Sequence, residues 1–250
     1  MQREFPCLKL DGESIEEGAC PVVEETPLSI FINGRHFVTA MISPKDRRDF
    51  VTGHLFSERI ISSQEEIESL EIEGNVARAI VANPMRAIVP RRPIVSGCGG
   101  ISSFLEESKL PEIRSDLKIT KEDAFAAMKA ISLSELHVAT GGVHSIGLFQ
   151  ESGPICIIED IGRHNALDKA IGYALSRKVD FSRTFAACTG RISSEMALKC
   201  SVAGIPIIVS RGATTSLAIS IAERTGLAIV GFIRGRRLTI YANPHRITIT

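Results

Sequence analysis

Cys98 stands in the run Ser96-Gly97-Cys98-Gly99-Gly100, with Arg91 and Arg92 shortly before it. Glycine on both sides disfavours helix and strand, so the spacing predicts a loop that exposes the thiol. Nearby guanidinium groups stabilise a thiolate, and a thiolate in such a place is a nucleophile or a carrier of sulfur. The plainer reading is a glycine turn with an incidental cysteine. A second set of residues points to anions. Four strand-like runs end in arginine: Arg163 after PICIIEDIG, Arg191 after TFAACTG, Arg211 after IPIIVS and Arg234 after LAIVGFI, accompanied by Gly162, Gly190, Gly212 and Gly235. Guanidinium forks match phosphate oxygens in pairs, and several on one rim imply a polyphosphate or dinucleotide. The alternative is that each arginine pairs with a carboxylate near its own strand end.

The stretch EDIGRHNALDK, residues 159–169, joins these two kinds of signal. PICII (154–158) reads as a buried strand, and 165–178 carries apolar residues at helical spacing, so EDIGRH is a strand-to-helix turn. Asp160 or Asn165 can cap the helix. Arg163 and His164 at the positive end of the helix dipole make sense with an anion between them and the exposed amides. Thr140-Gly141-Gly142 offers a further phosphate-cradling turn. His144 and His164 fall near the same rim, where they orient a ligand or donate protons. Asp168 lies four residues after His164 and can fix its tautomer; Lys169 stands in the same relation to Asn165. Each of these side chains also has an ordinary structural reading.

The elements that must position these groups divide the chain in two. Residues 1–20 read as disordered or loosely attached. PLSIFINGRHFVTAMI (27–42) is a hairpin around Asn33-Gly34, and 43–61 reads as a helix with Ser43 as N-cap and Pro44 at its first position. Two further strands follow within 67–82, which suggests a small α+β domain, a β-grasp-like roll, over 1–115. His36 and His54 read as structural or surface residues. From 116 to 250, helices at 119–132, 165–178, 193–204 and 214–226 alternate with strands, which predicts an α/β layered domain with a largely parallel sheet. Thr120 and Asp123 form a near capping box on the first of these helices. The segment before PICII leaves 137–142 or 143–149 as the strand.

Lysine and arginine balance aspartate and glutamate at 29 each, yet the charge is uneven. Residues 153–250 carry a net +7 and residues 1–152 a net −7, so the C-terminal part suits an anionic ligand. No apolar run reaches the roughly 18 residues of a membrane span. The N-terminus lacks the apolar stretch of a signal peptide, and the expected location is the cytoplasm. The six cysteines show neither zinc-like spacing nor the density of a disulfide scaffold. Cys156, Cys188 and Cys200 read as small core residues. No bound metal and no nucleic-acid or membrane partner is expected.

The chain resembles the formate dehydrogenase accessory sulfurtransferase (FdhD) family. The matching stretches are 24–34, 41–61, TGGVH (140–144), EDIGRHNALDKAIG (159–172), GRISSEMALKC (190–200) and 226–247. The resemblance implies a cytoplasmic, commonly dimeric protein that takes sulfur from a cysteine desulfurase to the molybdenum cofactor of formate dehydrogenase. That cofactor is a molybdenum ion held by two molybdopterin guanine dinucleotides, and a guanine nucleotide can mimic it. The resemblance also implies a cytidine-deaminase-like α/β/α fold for the C-terminal domain. It places the cofactor-binding segment at FIRGRR: Phe232, Ile233, Arg234, Gly235, Arg236 and Arg237. Cys98 becomes the persulfide carrier. The family's Cys-Gly-x-Cys-Gly loop is only half present, because Ile101, or in the shifted match Val95, stands where the other cysteine would be. One thiol accepts and passes sulfur, but no neighbouring thiol can release it by closing a disulfide. The alternative function is a cofactor-binding chaperone for formate dehydrogenase without sulfur chemistry. A hydrolytic deaminase ranks last, since no H-x-E…P-C-x-x-C zinc pattern occurs.

Overall fold

The computed structural model describes residues 1–83, 86 and 110–249. Cys98, Arg91, Arg92 and their glycine loop lie outside the described residues.

The first residues are ordered, contrary to expectation. β1 (Gln2–Asp11) and β2 (Ser14–Val23) form an antiparallel ribbon, joined across its strands by a Cys7–Cys20 disulfide. The turn is Gly12-Glu13, with Gly12 at φ 60° in the first central position. The ribbon leaves Leu8, Leu10 and Ile15 exposed, so no buried alternation marks these strands in the sequence.

The next unit is a hairpin, a helix and a second hairpin. β3 (Thr26–Ile32) and β4 (Arg35–Ile42) turn at Asn33-Gly34, both at positive φ as the expected tight turn requires. β5 (Ile67–Glu73) and β6 (Val76–Val81) form the second hairpin, and the sheet order is β4-β3-β6-β5 with β3 and β6 parallel. Leu28, Ile30, Phe50, Leu55 and Val81 share its core with α1 (Arg47–Ser57). This helix starts later than expected. Ser43 is not its N-cap, because its amide donates to Asp160 and its hydroxyl accepts from the Ile161 amide. Asp46, in the left-handed region, opens α1 instead.

A short β7 (Ile119–Thr120) pairs with residues 247–248, and the C-terminal unit is built on six further strands in the order β13-β12-β11-β10-β8-β9. They are β8 (His144–Gln150), β9 (Gly153–Asp160), β10 (Phe185–Cys188), β11 (Ile207–Ser210), β12 (Ala228–Arg234) and β13 (Arg237–Ala242). α2 (Lys121–Ser132) packs on one face with Phe149, Ala187 and Val230. α4 (Arg163–Ser176), α5 (Ser194–Ala203) and α6 (Ser216–Thr225) cover the other with Ile146, Ile158 and Ile208. The result is three layers. The Thr120–Asp123 capping box closes the start of α2. Residues 137–142 are not a strand: α3 (Glu135–Thr140) ends there, and Gly141 caps it at φ 63°.

β10, β11 and β12 are mutually parallel, and β8 runs antiparallel to both β10 and β9. β9 therefore points the same way as β10, and the carboxyl ends of β9, β10, β11 and β12 share one edge. The start of β8, at His144, lies on that edge too. The two units meet where α1 crosses α4 at Gly53 and Gly172. A Cβ on Gly53 would come within 1.8 Å of the Asp168 carbonyl oxygen.

Candidate functional site: an arginine rim on the sheet edge

Topology brings the four sequence-predicted arginines to one edge. Arg191 follows β10, Arg211 follows β11 and Arg234 ends β12, while Arg163 opens α4 just after β9. From β12 to β9 the edge spans four strand spacings, about 19 Å at roughly 4.8 Å each. Arg191, Arg211 and Arg234 are exposed and Arg163 is half-buried. Among the described residues none of the four forms an ion pair with a carboxylate. The buried Nε of Arg163 has no hydrogen-bond partner. Gly162 at the N-cap of α4 has no side chain to accept from the first turn, so the helix meets the rim uncapped.

Gly190 makes the inner end of this rim possible. A Cβ there would lie 3.1 Å from both Arg163 Cδ and His144 Nδ1, so only glycine lets those side chains close over the end of β10. Burial first, and then the charge of Arg163, push the His144 imidazole below its ordinary range. The same causes, with Lys199 adding, bring His164 down to about 3. Both are neutral at physiological pH, so they offer hydrogen bonds and not positive charge.

The rest of the EDIGRHNALDK motif is turned inward. Asp160 is fully buried and accepts from the Ser43 amide at 3.0 Å, the Gly162 amide at 2.9 Å and Asn165 Nδ2 at 3.0 Å. Lys169, also fully buried, reaches Asp160 at 2.6 Å and the Ser43 carbonyl at 2.9 Å. Asp168 does not orient His164. It accepts from Lys199 Nζ at 2.7 and 2.6 Å and lies 2.9 Å from His54 Nδ1. His164 lies instead 3.0 Å from Ser193 Oγ and 3.5 Å from Glu195. Asp168 and Lys169 are thus struts between the two units and do not open onto the rim. Apart from Asp160, nine residues before Lys169, their partners Lys199, His54 and Ser43 are more than thirty residues away or lie on the other unit, which no local spacing reveals. The Thr140-Gly141-Gly142 turn is corrected as well. The Gly141 amide donates to His137 O and the Gly142 amide to Thr140 Oγ1, so neither is free to cradle a phosphate.

FIRGRR is the outer end of the rim. It forms the β12–β13 turn, with Gly235 at φ 57° and Arg234, Arg236 and Arg237 exposed. Ile233 points into the core, only 4 % exposed. Phe232 sits at a strand irregularity with φ 52°, a rare conformation for a bulky residue, and its ring is exposed while its amide holds Gly212 O at 2.9 Å. Two residues that sequence reasoning passed over also reach the rim: Lys129 and Ser132 of α2 lie beside Arg211 and Arg234 around a cleft of about 300 Å³. Their helix was legible, but not the edge it packs against.

Residues 23–248 match the pattern of the FdhD/NarQ family. The chain belongs to that family. Among its relatives, a sulfur carrier protein FdhD from Bacillus pumilus is 35% identical over 236 residues, covering 91% of this chain and 90% of the relative. One of the same description from Saccharolobus solfataricus is 35% identical over 245 residues, covering 95% and 94%. A crystal structure from Desulfotalea psychrophila, described as a formate dehydrogenase accessory protein, superposes with a TM-score of 0.82 at 27% identity, covering 99% of both chains. That coverage includes the first ribbon and both units, so this FdhD/NarQ chain shares its whole layout with a solved protein. Among the described residues no helix is long and apolar enough to cross a membrane.

Proposed function

We propose that this protein is a sulfur carrier that takes sulfur from a cysteine desulfurase, holds it as a Cys98 persulfide, and passes it to the bis(molybdopterin guanine dinucleotide) molybdenum cofactor on its way into formate dehydrogenase. The observation that carries the reading is the arginine rim: four guanidinium groups on one sheet edge, none neutralised by a carboxylate among the described residues. The cofactor is the cargo, and its four phosphates are the groups the rim would hold. Arg163, Arg191, Arg211 and Arg234 grip phosphate oxygens, FIRGRR closes the outer end, and neutral His144 and His164 supply hydrogen bonds at the inner end. The three layers around the sheet support the cytidine-deaminase-like reading of the fold. The net positive charge of residues 153–250 supports an anionic cargo.

The described cysteines support Cys98 as the carrier. Cys7 and Cys20 are joined to each other. Burial pushes the Cys156 thiol up to about 12 and the Cys188 thiol up to about 11, and raises Cys200 as well. Buried thiols held in the protonated form are poor nucleophiles. In the carrier step the Cys98 thiolate attacks the sulfane sulfur of the desulfurase persulfide. A new S–S bond forms on Cys98, and the desulfurase cysteine leaves as its thiolate. Incubation with a desulfurase and radiolabelled cysteine is expected to load label on the wild type and to lose at least nine-tenths of it in Cys98→Ala. Equal loading of the two proteins would remove the carrier step and leave the chaperone reading.

A further inference from the structure

The carrier step leaves one pair of sulfur atoms unused, those of Cys7 and Cys20. They bridge β1 and β2 diagonally: Cys7 lies opposite Gly18, and Cys20 lies opposite Phe5. Directly opposed residues of an antiparallel pair share a face, and the face alternates along each strand. Phe5, Cys7 and Lys9 of β1 therefore share one face with Glu16, Gly18 and Cys20 of β2. Neither strand contains a buried residue, and both cysteines are half-buried. Thiols in solution thus reach the bond without the opening of any core. The FdhD/NarQ pattern begins at residue 23, after both cysteines.

Lys9 gives the pair a direction. The space over Gly18, where a side chain would stand, is taken by Lys9, whose Cε and Nζ come within 3.9 Å of the place of a Cβ there. Gly18 is the residue opposite Cys7, so the ammonium leans away from its own cross-strand neighbour, Glu16, and toward the sulfurs. Among the described residues no carboxylate forms an ion pair with it. A cation beside a thiol favours the thiolate. Cys7 is nearer to Lys9 along the ladder than Cys20 is, so Cys7 is the nucleophile once the bond is open. We infer that Cys7 and Cys20 form a second sulfur-handling site, a dithiol that reduces the sulfane sulfur of a persulfide to sulfide. A dithiol reductant first opens the disulfide, becoming a disulfide itself and leaving two thiols on the ribbon. The Cys7 thiolate then attacks the outer sulfur of a persulfide; an S–S bond forms on Cys7 and the donor leaves as its thiolate. The Cys20 thiolate attacks the Cys7 sulfur, the Cys7–Cys20 bond forms again, and the outer sulfur leaves as HS⁻. Two thiols are oxidised, one sulfane sulfur is reduced, and the two thiol protons pass to the donor thiolate and the sulfide. The cycle needs neither Cys98 nor the arginine rim.

Cys98→Ser, reduced with a dithiol and then freed of it, is expected to release one sulfide per chain from glutathione persulfide and to re-form the Cys7–Cys20 bond. A sulfide electrode and peptide mass spectrometry read the two results. With Cys20→Ser added, the sulfur is expected to stay on Cys7 and sulfide release to fall about tenfold or more. Lys9→Met is expected to slow the release about threefold or more; an unchanged rate would overturn its part. Release from Cys98→Ser no faster than from the protein that also carries Cys7→Ser and Cys20→Ser would overturn the dithiol site. The carrier step would survive that result, because loading of label on Cys98 is read separately.

Discussion

Replacing Gly53 by alanine is expected to destabilise the protein by more than about 3 kcal/mol, although alanine is the better helix former by about 1 kcal/mol. The reason is the crossing of α1 over α4. A Cβ on Gly53 would sit 1.8 Å from the Asp168 carbonyl oxygen and 2.7 Å from the Gly172 amide nitrogen. These obstacles are backbone atoms of a helix and cannot rotate away. On the other side, a Cβ on Gly172 would sit 1.9 Å from the Asp49 carbonyl oxygen. Either substitution forces the helices apart, and with them the bonds that join the two units: His54 to Asp168, and Ser43 to Asp160 and Lys169. Gly53→Ala and Gly172→Ala should each lower the urea midpoint strongly. A wild-type midpoint in either variant would mean that the helices do not pack this closely. The rim depends on this packing indirectly, since the same α4 that crosses α1 presents Arg163 at its first turn.

Removing the Asp168 carboxylate is expected to cost about 3–5 kcal/mol, because it leaves Lys199 charged and buried without its counter-ion. Both oxygens of Asp168 meet the Lys199 ammonium, and His54 lies against one of them. Asp168→Asn keeps the shape and loses the charge, so a large loss there isolates the electrostatic part. The double variant Asp168→Leu with Lys199→Met should recover most of that loss, since neither ion then remains. Burial alone would raise the Asp168 carboxyl, but Lys199 and His54 more than offset it and hold it down to about 2. A carboxylate held below its unfolded value of about 3.9 stabilises the fold fully above that pH. Its contribution is lost as pH falls from about 4 through about 2. The urea midpoint of the wild type should therefore drop over that window more steeply than that of Asp168→Asn. Parallel profiles would contradict the assignment.

These two predictions also show where sequence reading reaches and where it stops. The Asn33-Gly34 turn, the Thr120–Asp123 capping box and the alternation after residue 116 were legible, because each is decided within a few residues of chain. The gathering of the arginines was legible only as a condition, that their strands run alike. The antiparallel insertion of β8 between β10 and β9 meets that condition in a way no single strand announces. Within EDIGRHNALDK, local spacing suggested that Asp168 serves His164. Its real partners, His54 and Lys199, stand 114 and 31 residues away. A motif dense in polar residues reads as a ligand site whether those residues face a ligand or another helix. Here most of them face the other unit, and Arg163, with His164 beside it, is left to the rim. Lys129 and Ser132 were visible only as surface positions of a capped helix, since what they face is set by how α2 lies on the sheet.

The measurement that bears most directly on the account is calorimetric titration of GDP into the wild type and into Arg211→Ala, Arg234→Ala and the triple variant that adds Arg191→Ala, three arginines on adjacent strands, at two salt concentrations. The rim predicts binding that weakens with salt, about a tenfold or larger loss for each single substitution and no measurable binding for the triple. GDP binding that survives the triple substitution unchanged, or wild-type protein that binds neither GDP nor pyrophosphate, would contradict it.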